Sequence, residues 1–226
     1  DYLWEKKFSH RKIIMEPNPF VRRPIISDLN SGNYAASTIA HMVHYEASAN
    51  CMIDESKRLG RPIDVTNIGC GDLWDLRILI SGKKIKKSTV LRSYTAYDAI
   101  EVESPFGKNL SEQIEFTSIV QDLNLFPKLF ANNKSMDVVI CTEFIEHVNR
   151  ESACCILKEM YRMLRPGGII QITTPNAEFG NVYDKYHLYE WKWEELLLYL
   201  QEIHFDITYY CGTLIDAKTF DTANSL

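Results

Sequence analysis

The sequence predicts an α/β fold with a mostly parallel sheet and helices on both faces. From Pro62 onward, short apolar runs alternate with segments of helical spacing, and this order is typical of parallel sheets. The first run leads directly into Gly69-Cys70-Gly71, a turn that lets the backbone approach a ligand. Polar side chains follow the ends of later runs, where ligands gather in open α/β sheets.

The apolar runs define the strands of this sheet. A run from Phe205 to Tyr210, which follows a helical segment, is predicted to pair antiparallel at the sheet edge. Five earlier runs alternate with helical segments, which favours a parallel sheet that is covered on both faces. They are Ile63–Ile68, Val90–Tyr97, Glu115–Val120, Met136–Cys141 and Ile169–Thr173.

Three segments have helical spacing. Residues 151–164 give the clearest helix, which Arg165-Pro166-Gly167-Gly168 is predicted to end. Trp193–Ile203 is a second helix, and Tyr34–Arg58 is predicted to form a helical cap. Residues before Ser31 show no regular pattern. We therefore predict an N-terminal segment and helical cap (1–60) and a core domain (61–226).

Composition limits the function. The chain has 226 residues, a net charge of -5 and a pI near 5.7, which argues against a protein that grips long nucleic acid through its phosphates but permits a short terminus. The six cysteines form no CxxC pair, and with no visible signal peptide or membrane span they predict a cytoplasmic protein. The chain begins at Asp1 and not at a methionine, which is compatible with a piece of a longer chain. The sequence is also compatible with a partner protein.

The glycine turn alone leaves two interpretations open: a ligand-binding loop, and a tight turn without a ligand. A dinucleotide-binding fingerprint would have a third glycine where Trp74 stands. Asp98, the next acidic strand end, also follows Gly71 by 27 residues, whereas that fingerprint expects roughly 20. A nicotinamide-dependent oxidoreductase is therefore disfavoured.

The stretch from Asp137 to Val148 places a buried strand against two carboxylates and an imidazole. If Thr142 begins the turn into a helix, Glu143, Glu146 and His147 lie at i, i+3 and i+4 and share one face. Such a face at the carboxyl end of a strand is a candidate for chemistry.

In this order, the motifs resemble the class I S-adenosylmethionine-dependent methyltransferase superfamily from about Ile63 to Tyr210. The resemblance implies a Rossmann-like fold and a transferase that releases S-adenosylhomocysteine. The matching pieces are Asn67-Ile68-Gly69-Cys70-Gly71, Tyr97-Asp98, Gln121-Asp122, residues 137–148, Leu164-Arg165-Pro166-Gly167-Gly168 and Thr174-Pro175-Asn176.

The resemblance also implies a cofactor site. The glycine turn would surround the methionine part, Asp98 would bind the ribose, and Asp122 with Leu123 would bind the adenine. Asn67 stands where the family usually has an acidic residue, so it adds no charge toward the cofactor's ammonium. The implied contacts are Asn67, Gly69, Cys70, Gly71, Asp98, Asp122, Leu123, Cys141 and Glu143.

A narrower resemblance is to metal-assisted O-methyltransferases of two kinds, the RNA 3′-terminal ribose 2′-O-methyltransferases and the ubiquinone-pathway enzymes. It rests on E-x-x-E-H at 143–147 and on His187 ahead of Glu190-Trp191. The resemblance implies that Glu143, Glu146, His147 and His187 bind Mg, Mn or Zn, a donor set suited to these ions. The implied catalytic residues are His187, Glu146 and His147.

Other interpretations stay open. The glutamates can cap a helix without metal, and His187 can act as a general base or only pack beside Trp191 and Trp193. The nearby aromatic residues can stack a planar acceptor or belong to the core; they are Tyr183, Tyr186, Tyr189, Trp191 and Trp193. The remaining histidines fall into no pattern and are His10, His41, His44 and His204.

We therefore expect methyl transfer from S-adenosylmethionine to a hydroxyl, or an amine, of a small-molecule acceptor, with a divalent cation as a candidate assistant. One alternative is methylation of the 2′-hydroxyl at an RNA 3′ terminus, which the H-x-x-E-W match favours. An alternative of another class is a regulatory domain that binds S-adenosylmethionine without turnover, suggested by Asn67 and by Leu73 at a common glycine position.

Overall fold

A computed structural model describes residues 11–14, 36–82, 87–99, 114–179, 186–210 and 212. Within these ranges, no helix is long and apolar enough to cross a membrane. The strands are β1 (Arg11–Ile14), β2 (Ile63–Ile68), β3 (Leu91–Asp98), β4 (Glu115–Val120), β5 (Met136–Thr142), β6 (Leu164–Thr173) and β7 (Asp206–Tyr209). The helices are α1 (Ala36–Leu59), α2 (Trp74–Arg77), α3 (Lys87–Val90), α4 (Arg150–Met163) and α5 (Trp193–Glu202).

The strands form one sheet in the order β4-β3-β2-β5-β6-β1-β7. The five predicted core strands are confirmed as neighbours, and each pair among them is parallel. The order reverses between β2 and β5, so the carboxyl ends of these strands meet at the point where α/β sheets bind ligands. The Rossmann-like fold class is confirmed.

The far edge of the sheet differs from the prediction. β7 pairs parallel with β1, not antiparallel, because α5 carries the chain back across the sheet before β7 begins and so preserves the strand direction. β1 lies between β6 and β7 and pairs parallel with both. It falls in a stretch where the sequence shows no regular pattern, and its short length of four residues explains why periodicity does not reveal it.

Two apolar cores cover the two faces of the sheet. On one face, Ile156 of α4 and Leu200 of α5 pack in the same buried cluster as Ile170 of β6. On the other face, Met52 of α1 and Leu76 of α2 join a cluster with strand residues such as Val65. Helix α1 thus contributes directly to the core beside β2, while the proposed boundary at residue 60 stays a prediction.

A network of charged residues joins the amino ends of four strands, at the sheet end opposite the glycine turn. Arg165 donates to Asp64 at 2.8 Å and pairs with Asp137 at 2.8 Å. Arg61 also donates to Asp137 at 2.7 Å, and Arg92 pairs with Asp64. Burial alone would raise the pKa of Asp64, but hydrogen bonds from Arg92, Ser93 and Arg165 outweigh it and lower that pKa to about 2.

This lowered pKa predicts a loss of stability in acid. Since the pKa of Asp64 lies below its ordinary value of 3.8, its ionised form stabilises the fold above pH 4, and that contribution, about 2 kcal/mol, is lost as the pH falls toward 2. Urea unfolding at several pH values between 5 and 2 measures it. Asp64→Asn should show a shallower pH dependence, whereas Glu151→Gln, at an exposed position, should match the wild type. Equal slopes in all three proteins would contradict the prediction.

Candidate active site

The glycine turn after β2 is tied to the end of β3. The N–H groups of Gly69 and Cys70 donate to the carbonyl of Tyr97 at 2.9 and 3.1 Å, and the N–H of Gly71 donates to the Asp98 carboxylate at 2.8 Å. Gly69 has a φ of +68° and Gly71 a φ of +46°, a region that favours glycine. A Cβ on Gly69 would overlap the ring of Phe144, whereas one on Gly71 would point into open space.

Asn67, at the end of β2, points into a buried polar group and not toward solvent. Its Nδ2 donates to the hydroxyl of Tyr94 at 2.9 Å and to Asp75 Oδ2 at 3.2 Å. Tyr94 in turn donates to the same Asp75 oxygen at 2.7 Å. All three side chains are buried, and burial followed by the charge of Asp75 raises the pKa of Tyr94. The sequence did not indicate that Asp75 belongs to this site.

The residues predicted to bind the adenine end occupy different environments. Asp122 is exposed and its Oδ1 accepts from the N–H groups of Asn124 and Leu125 at 2.9 and 3.2 Å. Leu123 lies in the apolar core, which leaves its backbone as the group that can face a ligand.

Cys141 is fully buried at the end of β5, and burial, with the nearby charges of Glu146 and Glu143, raises the pKa of its thiol.

Helix α1, predicted as an N-terminal helical lid, forms one wall of the site, and two of its side chains contact site residues that the sequence did not connect with it. His44 Nδ1 lies 3.2 Å from Glu143 Oε1, and the Ser48 hydroxyl lies 3.2 Å from that of Thr142. Burial raises the pKa of Tyr45 to about 12, and the charges of Asp75 and Glu143 add to this effect. A signal was present, since His44 and Ser48 are polar residues four apart within an apolar helical stripe.

The expectation that Glu143 shares a helix face with Glu146 and His147 is wrong. Glu143 has a φ of +49°, and only a 3-10 turn, Ile145–His147, follows it. The regular helix α4 begins later because the Asn149 side chain accepts from Ser152 N at 2.9 Å and caps it. Glu143 is therefore directed toward α1 and is not a member of the Glu/His group.

Glu146, His147 and His187 come together as predicted. Each offers a ligand atom, and these atoms lie within 4.8 Å of one another. Glu146 is 1% exposed, and its Oε2 accepts from the Thr174 hydroxyl at 2.9 Å. Burial and the charge of Glu143 raise the pKa of Glu146. A carboxylate and two imidazoles therefore converge on one point of the structure.

Residues 186–191, here called the strap, carry His187 across Glu146. The N–H groups of Leu188 and Tyr189 donate to the Glu146 carbonyl at 2.8 and 3.2 Å. His187 Nδ1 donates to Glu190 Oε1 at 2.7 Å. This bond leaves Nε2 of His187 as the nitrogen that can act as a base or a ligand.

His147 is oriented in a similar way. Its Nδ1 donates to the Tyr186 carbonyl at 3.2 Å, and its Nε2 lies 3.9 Å from Glu146 Oε1. The rings of His147 and His187 meet edge to face, with centroids 4.9 Å apart. In both imidazoles Nδ1 makes the hydrogen bond, to a backbone carbonyl in His147 and to a carboxylate in His187. Nε2 is then the nitrogen that can bind a metal, as in histidines of known metal sites.

The strap is held at its far end. Ala177 N donates to the Trp191 carbonyl at 3.0 Å, and Trp193 N donates to Asn176 Oδ1 at 3.2 Å. The Arg150 guanidinium lies 5.6 Å from the centroid of the Trp191 ring. Among the predicted aromatic residues, Trp191 is a core residue at 1% exposure, Tyr186 is 63% exposed, and Tyr183 lies outside the described residues.

The His187–Glu190 bond predicts that Glu190 acts through His187. Glu190→Ala should lower the second-order rate constant of methyl transfer by about 10- to 100-fold, because losing such an outer partner frees the imidazole ring. Steady-state kinetics measures it. Glu194→Ala, at an exposed position of α5, is the control and should behave as wild type. A Glu190→Ala enzyme with unchanged kinetics would contradict the prediction.

The fold and these motifs match a known family. The family model described as a methyltransferase domain matches residues 40–222. The chain belongs to this family. It is therefore a member of the class I S-adenosylmethionine-dependent methyltransferases, as the motifs implied.

Three comparisons place this methyltransferase among known proteins. A small RNA 2′-O-methyltransferase from Tetrahymena thermophila is 33% identical over 82 residues, which cover 31% of this chain and 19% of that protein. The structure of a Burkholderia thailandensis 1,6-didemethyltoxoflavin-N1-methyltransferase with S-adenosylhomocysteine has a TM-score of 0.52 at 19% identity, over 79% of this chain and 73% of that one. The structure of a small RNA methyltransferase has a TM-score of 0.51 at 18% identity, over 63% and 19%.

The two solved structures are 19% and 18% identical to this methyltransferase. At such identities they show a shared fold and nothing further. The chain spans about a fifth of the length of the curated relative, so the acceptor of that relative informs a proposal and not an assignment.

Proposed function

We propose that this methyltransferase moves the methyl group of S-adenosylmethionine to the 2′-hydroxyl of an RNA 3′-terminal ribose, with a divalent cation bound by Glu146, His147 and His187. The convergence of these three side chains within 4.8 Å is the observation that carries the proposal. A small-molecule hydroxyl, the acceptor expected from the sequence, is the alternative acceptor.

The glycine turn and Asp98 support cofactor binding. Asp98 accepts from Gly71 N, which places its carboxylate beside the turn, and a carboxylate at this strand end can accept from ribose hydroxyls. No atom lies within 4 Å of a Cβ built on Gly71, so the methionine part has room to lie against the turn. Cys70, Cys141, Asp122 and the backbone of Leu123 complete the proposed contacts, and Glu143 closes the site beside α1.

The Glu/His group suits a divalent cation. One carboxylate oxygen and two imidazole nitrogens form a mixed donor set that Mg, Mn or Zn can accept, and among the described residues no Lys or Arg is paired with the buried carboxylate of Glu146. A cation there would lower the pKa of a bound hydroxyl and hold two adjacent oxygens of the acceptor. Glu143 is left out of the ligand set because it faces His44.

The chain's own residues would align the reaction. The 2′-oxygen attacks the sulfonium methyl in line, so that a C–O bond forms as the S–C bond breaks and S-adenosylhomocysteine leaves. The hydroxyl proton passes to water, because Glu190 holds Nδ1 of His187 and the cation would occupy its Nε2. Holding the oxygen, methyl carbon and sulfur in line provides most of the rate enhancement.

The curated relative favours an RNA terminus over a small molecule, since that protein, 33% identical over 82 residues, acts on small RNA by its name. A terminal ribose, like a catechol, presents the vicinal oxygens that a cation can chelate. The net charge of -5 fits contact with a terminus and not with a long backbone. Tyr186, at 63% exposure beside His147, offers a ring on which a terminal base can stack.

An acceptor panel tests the proposal. Radiolabelled S-adenosylmethionine is supplied with RNA ending in a 2′,3′-diol, the same RNA ending in a 2′-deoxyribose, and a catechol, each with Mg, Mn or Zn and with a chelator. We expect label only in the diol RNA and only with metal. Label in the catechol alone would support the small-molecule alternative. Full activity in chelator would contradict metal assistance, and binding of the cofactor without label in any acceptor would contradict the proposed RNA acceptor.

A further inference from the structure

Asp75 is a buried carboxylate without a positive partner in the part of the chain that the structure describes. Its side chain is 1% exposed, and its Oδ2 accepts from the neutral groups of Tyr94 and Asn67. Buried carboxylates are normally paired with a cation, since an unpaired charge is costly to bury. Burial accordingly raises the pKa of Asp75. The fold keeps this carboxylate at the cost of stability.

Two oxygens of this group lack a hydrogen-bond donor. They are Asn67 Oδ1 and Asp75 Oδ1, and both are buried. Because Asn67 directs its Nδ2 toward Tyr94 and Asp75, the two unpartnered atoms are both acceptors. Buried acceptors without donors are rare in folded proteins. Asn67 Oδ1 and Asp75 Oδ1 therefore suit a ligand group that has several N–H donors and a positive charge.

The position of Asp75 links it to the cofactor site. Burial raises the pKa of the Cys70 thiol in the glycine turn, and the charges of Asp98 and Asp75 raise it further. Asp75 is also the charge that contributes most to the raised pKa of Tyr45 on α1. The geometric link is Asn67, which donates to Asp75 and lies two residues before Gly69, so the buried polar group adjoins the glycine turn.

Asp75 also explains the amide at position 67. The two side chains are in contact, with Asn67 Nδ2 and Asp75 Oδ2 3.2 Å apart. Two carboxylates at that distance in a buried group could not both ionise. An amide at position 67 avoids this repulsion and adds a hydrogen bond to the charge on α2.

We infer that Asp75, together with Asn67, binds the ammonium group of the cofactor's methionine part. An ammonium has three donors and one positive charge, which match the two free acceptors and the missing counter-charge. The negative charge that position 67 lacks is supplied instead from the first turn of α2. This inference rests on the proposed cofactor and adds a residue to its binding site.

Calorimetric titration of three proteins with two ligands tests the inference. The proteins are wild type, Asp75→Asn and the exchange variant Asn67→Asp/Asp75→Asn. S-adenosylhomocysteine carries the ammonium, and methylthioadenosine lacks the whole amino acid part. We expect Asp75→Asn to bind S-adenosylhomocysteine at least tenfold more weakly, to bind methylthioadenosine as wild type does, and to melt no lower without ligand. The exchange variant should recover most of the lost affinity.

Each other outcome is decisive. Wild-type affinity of Asp75→Asn for S-adenosylhomocysteine overturns the inference, and so does an equal loss for both ligands with a lower melting temperature, which would show a structural role only. If Asp75→Asn does not fold, the exchange variant is tested in its place. The inference is then overturned if the ratio of its affinities, for S-adenosylhomocysteine over methylthioadenosine, is lower than in the wild type. A wild type that binds neither ligand contradicts the proposed function itself.

Discussion

Glu146→Gln is expected to lower the rate of methyl transfer at least 100-fold while the protein stays folded. The carboxylate of Glu146 is buried beside His147 and His187, and an amide cannot provide the charge that a divalent cation requires. Rates are measured with diol-ended RNA at saturating metal. Titration of the metal into the variant should give no heat.

Two further observations make this prediction specific. Since burial and Glu143 raise the pKa of Glu146, its ionised form destabilises the metal-free fold, and Glu146→Gln should melt at or above the wild-type temperature in chelator. Its affinity for S-adenosylhomocysteine should not change. Glu151→Gln, an exposed change in the first turn of α4, is the matched control. Normal turnover by Glu146→Gln would exclude this residue from the chemistry.

Asp98→Asn is expected to weaken cofactor binding by about 10- to 100-fold. The substitution keeps the shape but removes the charge from an acceptor of Gly71 N, and hydrogen bonds to a charged group contribute about 1.5 to 3 kcal/mol. Equilibrium dialysis with labelled S-adenosylmethionine measures the affinity. Because Asp98 also holds the glycine turn, part of the loss comes from a less ordered turn.

A control separates charge at the turn from charge in general. Asp54→Asn removes the same charge from an exposed position of α1, where the side chain is 74% exposed, and should leave the affinity unchanged. If Asp98→Asn binds the cofactor as tightly as wild type, the assignment of the ribose site to the end of β3 is wrong.

The core of the fold was predictable because each strand carries its own signal. Strands β2 and β4 match their predicted bounds, since β-branched and aromatic residues make up about half or more of each strand. β6 begins earlier than predicted, at Leu164 and not Ile169, because Arg165-Pro166-Gly167-Gly168 was taken as a helix stop. The register shift between Met136 and Val138 accommodates these residues within the sheet. Local turn chemistry alone does not reveal such pairing.

The site was predictable only where its residues are close in sequence or follow a known spacing. Glu146, His147 and His187 were found by motif. Glu143 was misplaced because its backbone conformation, with a φ of +49°, depends on contacts with Thr173 and α1. His44 and Asp75 were missed because their roles arise from contacts across the fold.

Titration of the wild-type protein with S-adenosylhomocysteine is the most direct test of the central claim, that the carboxyl ends of β2 and β3 bind this cofactor. We predict saturable binding of one ligand per chain that does not require metal. A second titration with metal should give separate heat from the Glu/His group. A wild-type protein that gives no heat with S-adenosylhomocysteine would contradict the claim.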